Sequence, residues 1–146
     1  MTRLSRFALV LTIACLAAAP AAAQGDYTAA QAAAGKAEFA QVCAICHGDH
    51  LQGKVGPALS GQMFLSVSQY QGLTAWYLYH FMSTHMPQNA PGSLTQTQYL
   101  DLMAYILKFN GYPAGADPLT PNETELKTIK IAPQTGTEAA SKAPQQ

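Results

Sequence analysis

Residues 43–47 read Cys-Ala-Ile-Cys-His, and this C-x-x-C-H pattern decides how the rest of the chain is interpreted. The pattern is the attachment signature of a c-type haem. It places the thiols of Cys43 and Cys46 to form thioether bonds to the haem vinyl groups, and it places the imidazole of His47 to coordinate the iron. We therefore predict one covalently attached haem c.

Other uses of a Cys-x-x-Cys pair fit this sequence less well. A zinc site needs about four protein ligands, and the remaining candidates His50, His80 and His85 have no familiar zinc spacing. A thioredoxin-like redox pair follows a strand in a βαβ unit, and the sequence shows no such pattern. A disulfide that closes so small a ring would constrain little of the chain. The pair is therefore expected to have a chemical role.

The N-terminus has the layout of an export signal. Arg3 and Arg6 precede an apolar run over residues 7–19, and a small-residue Ala-x-Ala site follows at residues 21–23. This order is typical of a cleaved secretory signal. We predict that residues 1–23 are a signal peptide, that Gln24 begins the mature chain and that the protein is periplasmic.

Cleavage would change both the cysteine count and the charge. Cys15 would leave with the signal, and loss of both arginines turns a formal net charge of zero into −2, because six lysines then face eight acidic residues. A nucleic-acid-binding protein needs a basic face, so we expect no nucleic-acid partner. No later apolar run reaches the ~20 residues that span a membrane, so we predict no integral membrane span.

The pattern over residues 24–132 predicts one all-α domain of a few short helices and long loops. Threonines are N-cap candidates before three of the helices: Thr28, Thr74 and Thr95. The predicted helices lie at about 29–42, 75–83, 96–109 and 122–127, and residues 63–70 are predicted to form either a short helix or an irregular piece. Such a share of loop is expected only where a buried cofactor is wrapped. Residues 133–146 have almost nothing to bury and are predicted to be disordered.

Haem iron needs a sixth ligand or an open site. Met86, in a loop before Pro87, is the first choice, because a His/Met pair gives an electron-transfer centre. Met63 is the second methionine candidate, and His85 competes because it neighbours Met86. An open sixth site, used for gas binding or catalysis, is the alternative.

The chain resembles a class I cytochrome c over roughly residues 35–119. The resemblance implies that the first and last helices cross at Gly35, with Phe39 and Tyr105 packed there. It also implies that the Pro57 carbonyl accepts the ring N–H of His47, and that Met86 is the distal ligand. The motifs that carry it include Gly35, Phe39, residues 43–48, residues 56–59, Met86-Pro87, residues 91–94 and residues 104–107.

The aromatic residues between Tyr70 and Phe81 are expected to line the haem. Among them, Trp76 is placed by the resemblance so that its indole N–H has a haem propionate as partner. A buried Trp N–H usually finds an acceptor.

Residues 86–94 and 110–115 are similar to cytochromes paired with pyrroloquinoline-quinone-dependent dehydrogenases in bacteria. This likeness implies a carrier of single electrons between a dehydrogenase and a terminal oxidase or another cytochrome. It is expected to be an electron-transfer protein and not an enzyme, as a monomer or as a subunit of a complex. A tightly bound haem subunit of a dehydrogenase is the alternative.

Overall fold

The structure is a computed structural model that describes residues 25–134. The predicted signal peptide lies outside the described residues, and so does almost all of the predicted tail. The domain boundaries at residues 23 and 132 therefore stay predictions.

The described part of the chain is helical, as predicted. Besides the helices it contains two isolated β-bridges, Thr28 with Gly115 and Thr74 with Lys130. None of its helices is long and apolar enough to cross a membrane. The helices are α1 (Ala29–Val42), α2 (Ala44–His47), α3 (Gly61–Tyr70), α4 (Ala75–His85), α5 (Gln96–Phe109) and α6 (Glu123–Thr128).

The two long helices begin at the predicted caps. The hydroxyl of Thr28 accepts the backbone N–H of Gln31, and the Gln31 side chain accepts the N–H of Thr28 in return. Thr95 and Gln98 form the same reciprocal capping box at the start of α5. Each box satisfies two backbone N–H groups that have no partner inside the helix.

The helices α1 and α5 cross in close contact at Gly35. A Cβ atom on this residue would overlap the backbone carbonyl of Asp101, so only glycine fits. Beside the crossing, the rings of Phe39 and Tyr105 pack with centroids 5.4 Å apart. The predicted crossing is therefore confirmed, and α5 supplies most of the core through Tyr99, Leu100, Leu102, Met103, Ala104, Tyr105, Ile106 and Leu107.

Helix α4 runs two residues beyond its predicted end, to His85. Its buried residues Ala75, Tyr79 and Met82 share one face, which packs towards α5. Tyr70 and Tyr77 are 93% and 54% exposed. These two side chains lie outside the buried core, because helical spacing turns Tyr77 away from the core face and Tyr70 ends α3. That the aromatic residues from 70 to 81 line the haem stays a prediction.

The segment after α5 returns to the start of α4. The Tyr112 hydroxyl donates to the carbonyl of Lys130 (2.6 Å) and accepts the N–H of Ala132 (2.9 Å). The N–H of Ala75 donates to the Ile129 carbonyl at 2.9 Å. These bonds fasten residues 129–132 across the N-terminus of α4.

Candidate haem site

The C-x-x-C-H pattern lies where α1 meets α2. Cys43 is the C-cap of α1 and the N-cap of α2, and its carbonyl accepts the N–H groups of Cys46 (3.1 Å) and His47 (2.9 Å). Residues three apart on one helical turn lie on the same side. Both half-buried thiols are free and on neighbouring positions of one short turn, as two thioether bonds to one planar group require.

The loop after α2 folds back over the motif. Gly48 turns the chain with φ +79°, a conformation that glycine adopts without steric cost. The N–H of Gly53 then donates to the His47 carbonyl (2.8 Å), and the N–H of Gly56 donates to the Cys46 carbonyl (2.9 Å). The loop therefore brings residues 56 and 57 against the histidine ring.

His47 is 9% exposed, and its ring is held from one side. Its Nδ1 lies 2.7 Å from the carbonyl oxygen of Pro57, the contact that the class I resemblance implies. A carbonyl only accepts, so Nδ1 carries the proton and Nε2 keeps its lone pair. A Cβ on Gly56 would lie 2.9 Å from the His47 Cε1 atom, so the absence of a side chain there lets the loop approach the ring.

The thiol of Cys43 is in a desolvated position. Burial, with smaller contributions from Glu38 and Cys46, raises the pKa of Cys43 to about 11. Redox-active Cys-x-x-Cys pairs work through thiolates with lowered pKa values. The environment of Cys43 therefore disfavours a thioredoxin-like role.

The described residues contain no group of three or more His, Cys, Asp or Glu side chains that could hold a metal ion. Two free thiols on one turn and an imidazole with its Nε2 lone pair available fit a covalently attached haem instead.

Met86 is held firmly at the end of α4. It is the C-cap residue, and its N–H donates to the Met82 carbonyl at 3.0 Å. Its own carbonyl accepts the Tyr99 hydroxyl at 2.6 Å and the N–H of Gly92 at 3.4 Å. Tyr99 lies in α5, so the position of Met86 depends on the helix that forms the core.

His85 is engaged on the outer surface. Its ring stacks on Phe81 with centroids 4.7 Å apart and an angle of 11° between the planes. Its Nδ1 lies 2.7 Å from the Thr84 hydroxyl. The other methionine candidate, Met63, is 78% exposed on α3.

Trp76 is half-buried on the first turn of α4. Its ring packs against Tyr79 (centroids 5.9 Å) and His80 (5.7 Å). The residue just before Trp76, Ala75, donates its N–H to the carbonyl of Ile129. Its predicted propionate contact stays a prediction.

Sequence reasoning missed Tyr99 and Tyr112 as positioning residues. Each hydroxyl donates to a distant backbone carbonyl, that of Met86 for Tyr99 and that of Lys130 for Tyr112. Tyr99 lies at the start of α5, and Tyr112 lies just after its end. The hydrophobic pattern of the sequence does not report these bonds, because the carbonyls that accept them lie outside the regular helices.

Residues 30–106 match the family model described as cytochrome c oxidase, cbb3-type, subunit III. The chain belongs to this family of cytochrome c domains. Membership confirms the class I resemblance, the helical fold and the haem c attached through Cys43 and Cys46. It also establishes electron transfer as the general role.

Among solved structures, the chain is similar to one chain of the sulfane dehydrogenase SoxCD from Paracoccus pantotrophus. The two share 22% identity with a TM-score of 0.46, and the match covers 79% of this chain and 64% of that one. The chain thus corresponds to less than two thirds of that relative. No curated protein matches the sequence significantly.

Proposed function

We propose that the protein is an exported monohaem electron carrier with His47 and Met86 as the axial ligands of its iron. It moves single electrons in the periplasm from a dehydrogenase to a terminal oxidase or another cytochrome. The observation that carries this proposal is that the two candidate ligands are both anchored through backbone carbonyls: the Pro57 carbonyl holds His47, and Tyr99 holds the carbonyl of Met86.

The choice of Met86 over His85 rests on their different surroundings. His85 is exposed and already engaged by Phe81 and Thr84. Met86 is half-buried, and its backbone is fixed at three points. A thioether ligand favours the reduced iron and raises its potential relative to a second histidine.

The haem supplies the one-electron chemistry when it is bound, and the protein supplies orientation and surroundings. The hydrogen bond from His47 Nδ1 to Pro57 fixes the ring orientation and makes Nε2 a better donor. Tyr99 keeps the Met86 segment in place. No side chain has to act as an acid, a base or a nucleophile.

A dehydrogenase that uses pyrroloquinoline quinone is the proposed donor. The support is the likeness of residues 86–94 and 110–115 to cytochromes that accompany such enzymes. Size-exclusion chromatography of a native extract tests whether the protein is free: a haem peak near the mass of the monomer is expected. A stable complex with a dehydrogenase would replace the free-carrier proposal by the subunit one.

Export and haem attachment are tested on protein purified from the periplasm. A pyridine haemochrome spectrum of the c type and an N-terminal residue Gln24 are expected. A cytoplasmic product with an intact N-terminus would contradict the export proposal, and a spectrum of another haem type would contradict the attachment.

The ligand assignment is tested with two neighbouring variants. Met86→Ala should abolish the far-red charge-transfer band of Met-ligated ferric haem and lower the reduction potential. The matched control His85→Ala removes the adjacent side chain and should leave both unchanged. Loss of the band in the His85 variant alone would refute Met86 as the ligand.

A further inference from the structure

The outer side of α4 carries three stacked rings. Tyr77 and Phe81 lie with ring centroids 6.5 Å apart and planes at 15°, and His85 stacks on Phe81 at 4.7 Å and 11°. We call these three residues the aromatic column. Tyr77 and Phe81 are 54% and 38% exposed. Helical spacing puts Tyr77 on the side of α4 away from the buried face of Ala75, Tyr79 and Met82, and the column ends directly before Met86.

The column lies in a part of the chain without formal charge. Residues 55–100 contain no Asp, Glu, Lys or Arg. The two ion pairs of the described residues, Lys54 with Asp49 and Lys127 with Glu123, both lie outside this range. The loop before α3, α3 itself, α4 and the Met86 loop therefore form a continuous uncharged segment, whereas acidic and basic residues occur on α1, α5 and α6.

A charged surface steers partners over long range and makes their association depend on salt. An uncharged surface neither steers partners over long range nor makes their association depend on salt. A complementary partner therefore needs an uncharged, apolar surface of its own. Aromatic side chains are enriched at the centres of protein interfaces and often dominate their binding energy. Stacked rings also lose little freedom on binding, because they are already held in place.

We propose that the aromatic column is the docking surface for a redox protein whose own docking surface is apolar and uncharged. This inference rests on the proposed function. Three rings make a small contact, as expected for transient electron-transfer encounters, which bury less than about 1,200 Å². A membrane surface is the other apolar occupant. The segment lacks the Lys and Arg residues that attract anionic lipid, and the column carries a hydroxyl and an imidazole among its three rings.

A second copy of this protein is a partner of the required chemistry, and electron self-exchange between two copies measures their contact. One electron passes from a reduced copy to an oxidised copy, and each copy presents the same uncharged column. The rate is measured by proton NMR line broadening in mixtures of the two redox states at low and high salt. The probe is the full holoprotein itself.

Wild-type self-exchange should change little between low and high salt. Tyr77→Glu should slow it at low salt by about threefold or more, since two carboxylates about 6 Å apart in water repel one another, and salt should restore part of the rate. Tyr70→Glu is the matched control: it introduces the same charge in the same uncharged segment, at a 93% exposed tyrosine on α3. Its rate should equal that of wild type at both salt concentrations.

Equal slowing in the two glutamate variants, or no slowing in Tyr77→Glu, would overturn the docking surface. Co-sedimentation of the wild type with neutral phosphatidylcholine vesicles, lost in Tyr77→Glu, would overturn it in favour of a membrane. A reversible one-electron titration of the wild type and of both variants is expected. Failure of the wild type to titrate would instead count against the proposed function.

Discussion

Tyr99→Phe tests whether α5 holds the proposed ligand in place. The hydroxyl of Tyr99 donates to the carbonyl of Met86 at 2.6 Å, and the ring is otherwise buried in the core. The substitution removes one oxygen atom and keeps the ring. The Met86 carbonyl is then left with one longer bond, 3.4 Å from the N–H of Gly92.

The expected loss of unfolding free energy follows from the hydrogen bond between Tyr99 and Met86 alone. A net contribution of about 0.5–1.5 kcal/mol, together with a partly unsatisfied carbonyl, gives a loss of about 1–2 kcal/mol in unfolding free energy. For a domain of this size the melting temperature should fall by roughly 4–10 °C. If the bond secures Met86, the population of locally detached states should also rise by about 5- to 30-fold.

The assay follows two signals during heating of the ferric protein: the far-red Met–iron band and the far-ultraviolet circular dichroism of the helices. Tyr27→Phe is the matched control, because the hydroxyl of Tyr27 also donates to a backbone carbonyl at 2.6 Å, that of Tyr112. Both variants should lose similar overall stability. In Tyr99→Phe the band should disappear at a lower temperature than the helices, and in Tyr27→Phe the two transitions should coincide.

Identical behaviour of the two variants would refute the reasoning. If the band and the helices melted together in Tyr99→Phe, the bond would contribute only to global stability. An unchanged melting temperature in both would show that neither hydroxyl matters energetically.

Three further substitutions test the scaffold. Gly35→Ala forces a Cβ into the Asp101 carbonyl and should cost about 3 kcal/mol or more in a denaturant titration; a loss below about 1 kcal/mol would contradict the close crossing. Tyr112→Phe should lower unfolding free energy by about 1–3 kcal/mol, because the Ala132 N–H and the Lys130 carbonyl lose their partner; equal denaturation midpoints would contradict this. Desolvation raises the pKa of Asp101 above its ordinary value, so its carboxylate weakens the fold above that pKa. Asp101→Asn should therefore raise the melting temperature at neutral pH, with the gain vanishing below about pH 4; a gain that persisted at low pH would rule out the carboxylate as its cause.

Much of the fold could be predicted because the local preferences of residues for helix starts and helix ends agree with the packing. Thr28 and Thr95 begin helices where a hydroxyl can cap them, and α5 ends at Phe109, the predicted end. Asn110 ends α5 as expected, since Gly111 follows with φ +85°. In these places each residue's own preference and its neighbours point to the same structure.

The parts that sequence could not supply depend on contacts between distant segments. The extension of α4 to His85 brings the neighbouring histidine into the helix and leaves Met86 as its cap. The bond from Tyr99 to Met86 and the return of residues 129–132 to α4 likewise join segments far apart in sequence. No spacing within one segment reports such contacts.

The hydrogen bonds of Tyr112 bear on where this domain can be cut. The family match ends at residue 106, and a minimal gene fragment or a fusion joint designed from that match would stop inside α5. Such a fragment would lack Ile131, which is 2% exposed, and the Ile129 carbonyl that pairs with Ala75. The smallest transplantable module therefore extends through residue 132, and a chimera that joins this cytochrome to another protein should place its linker after that point.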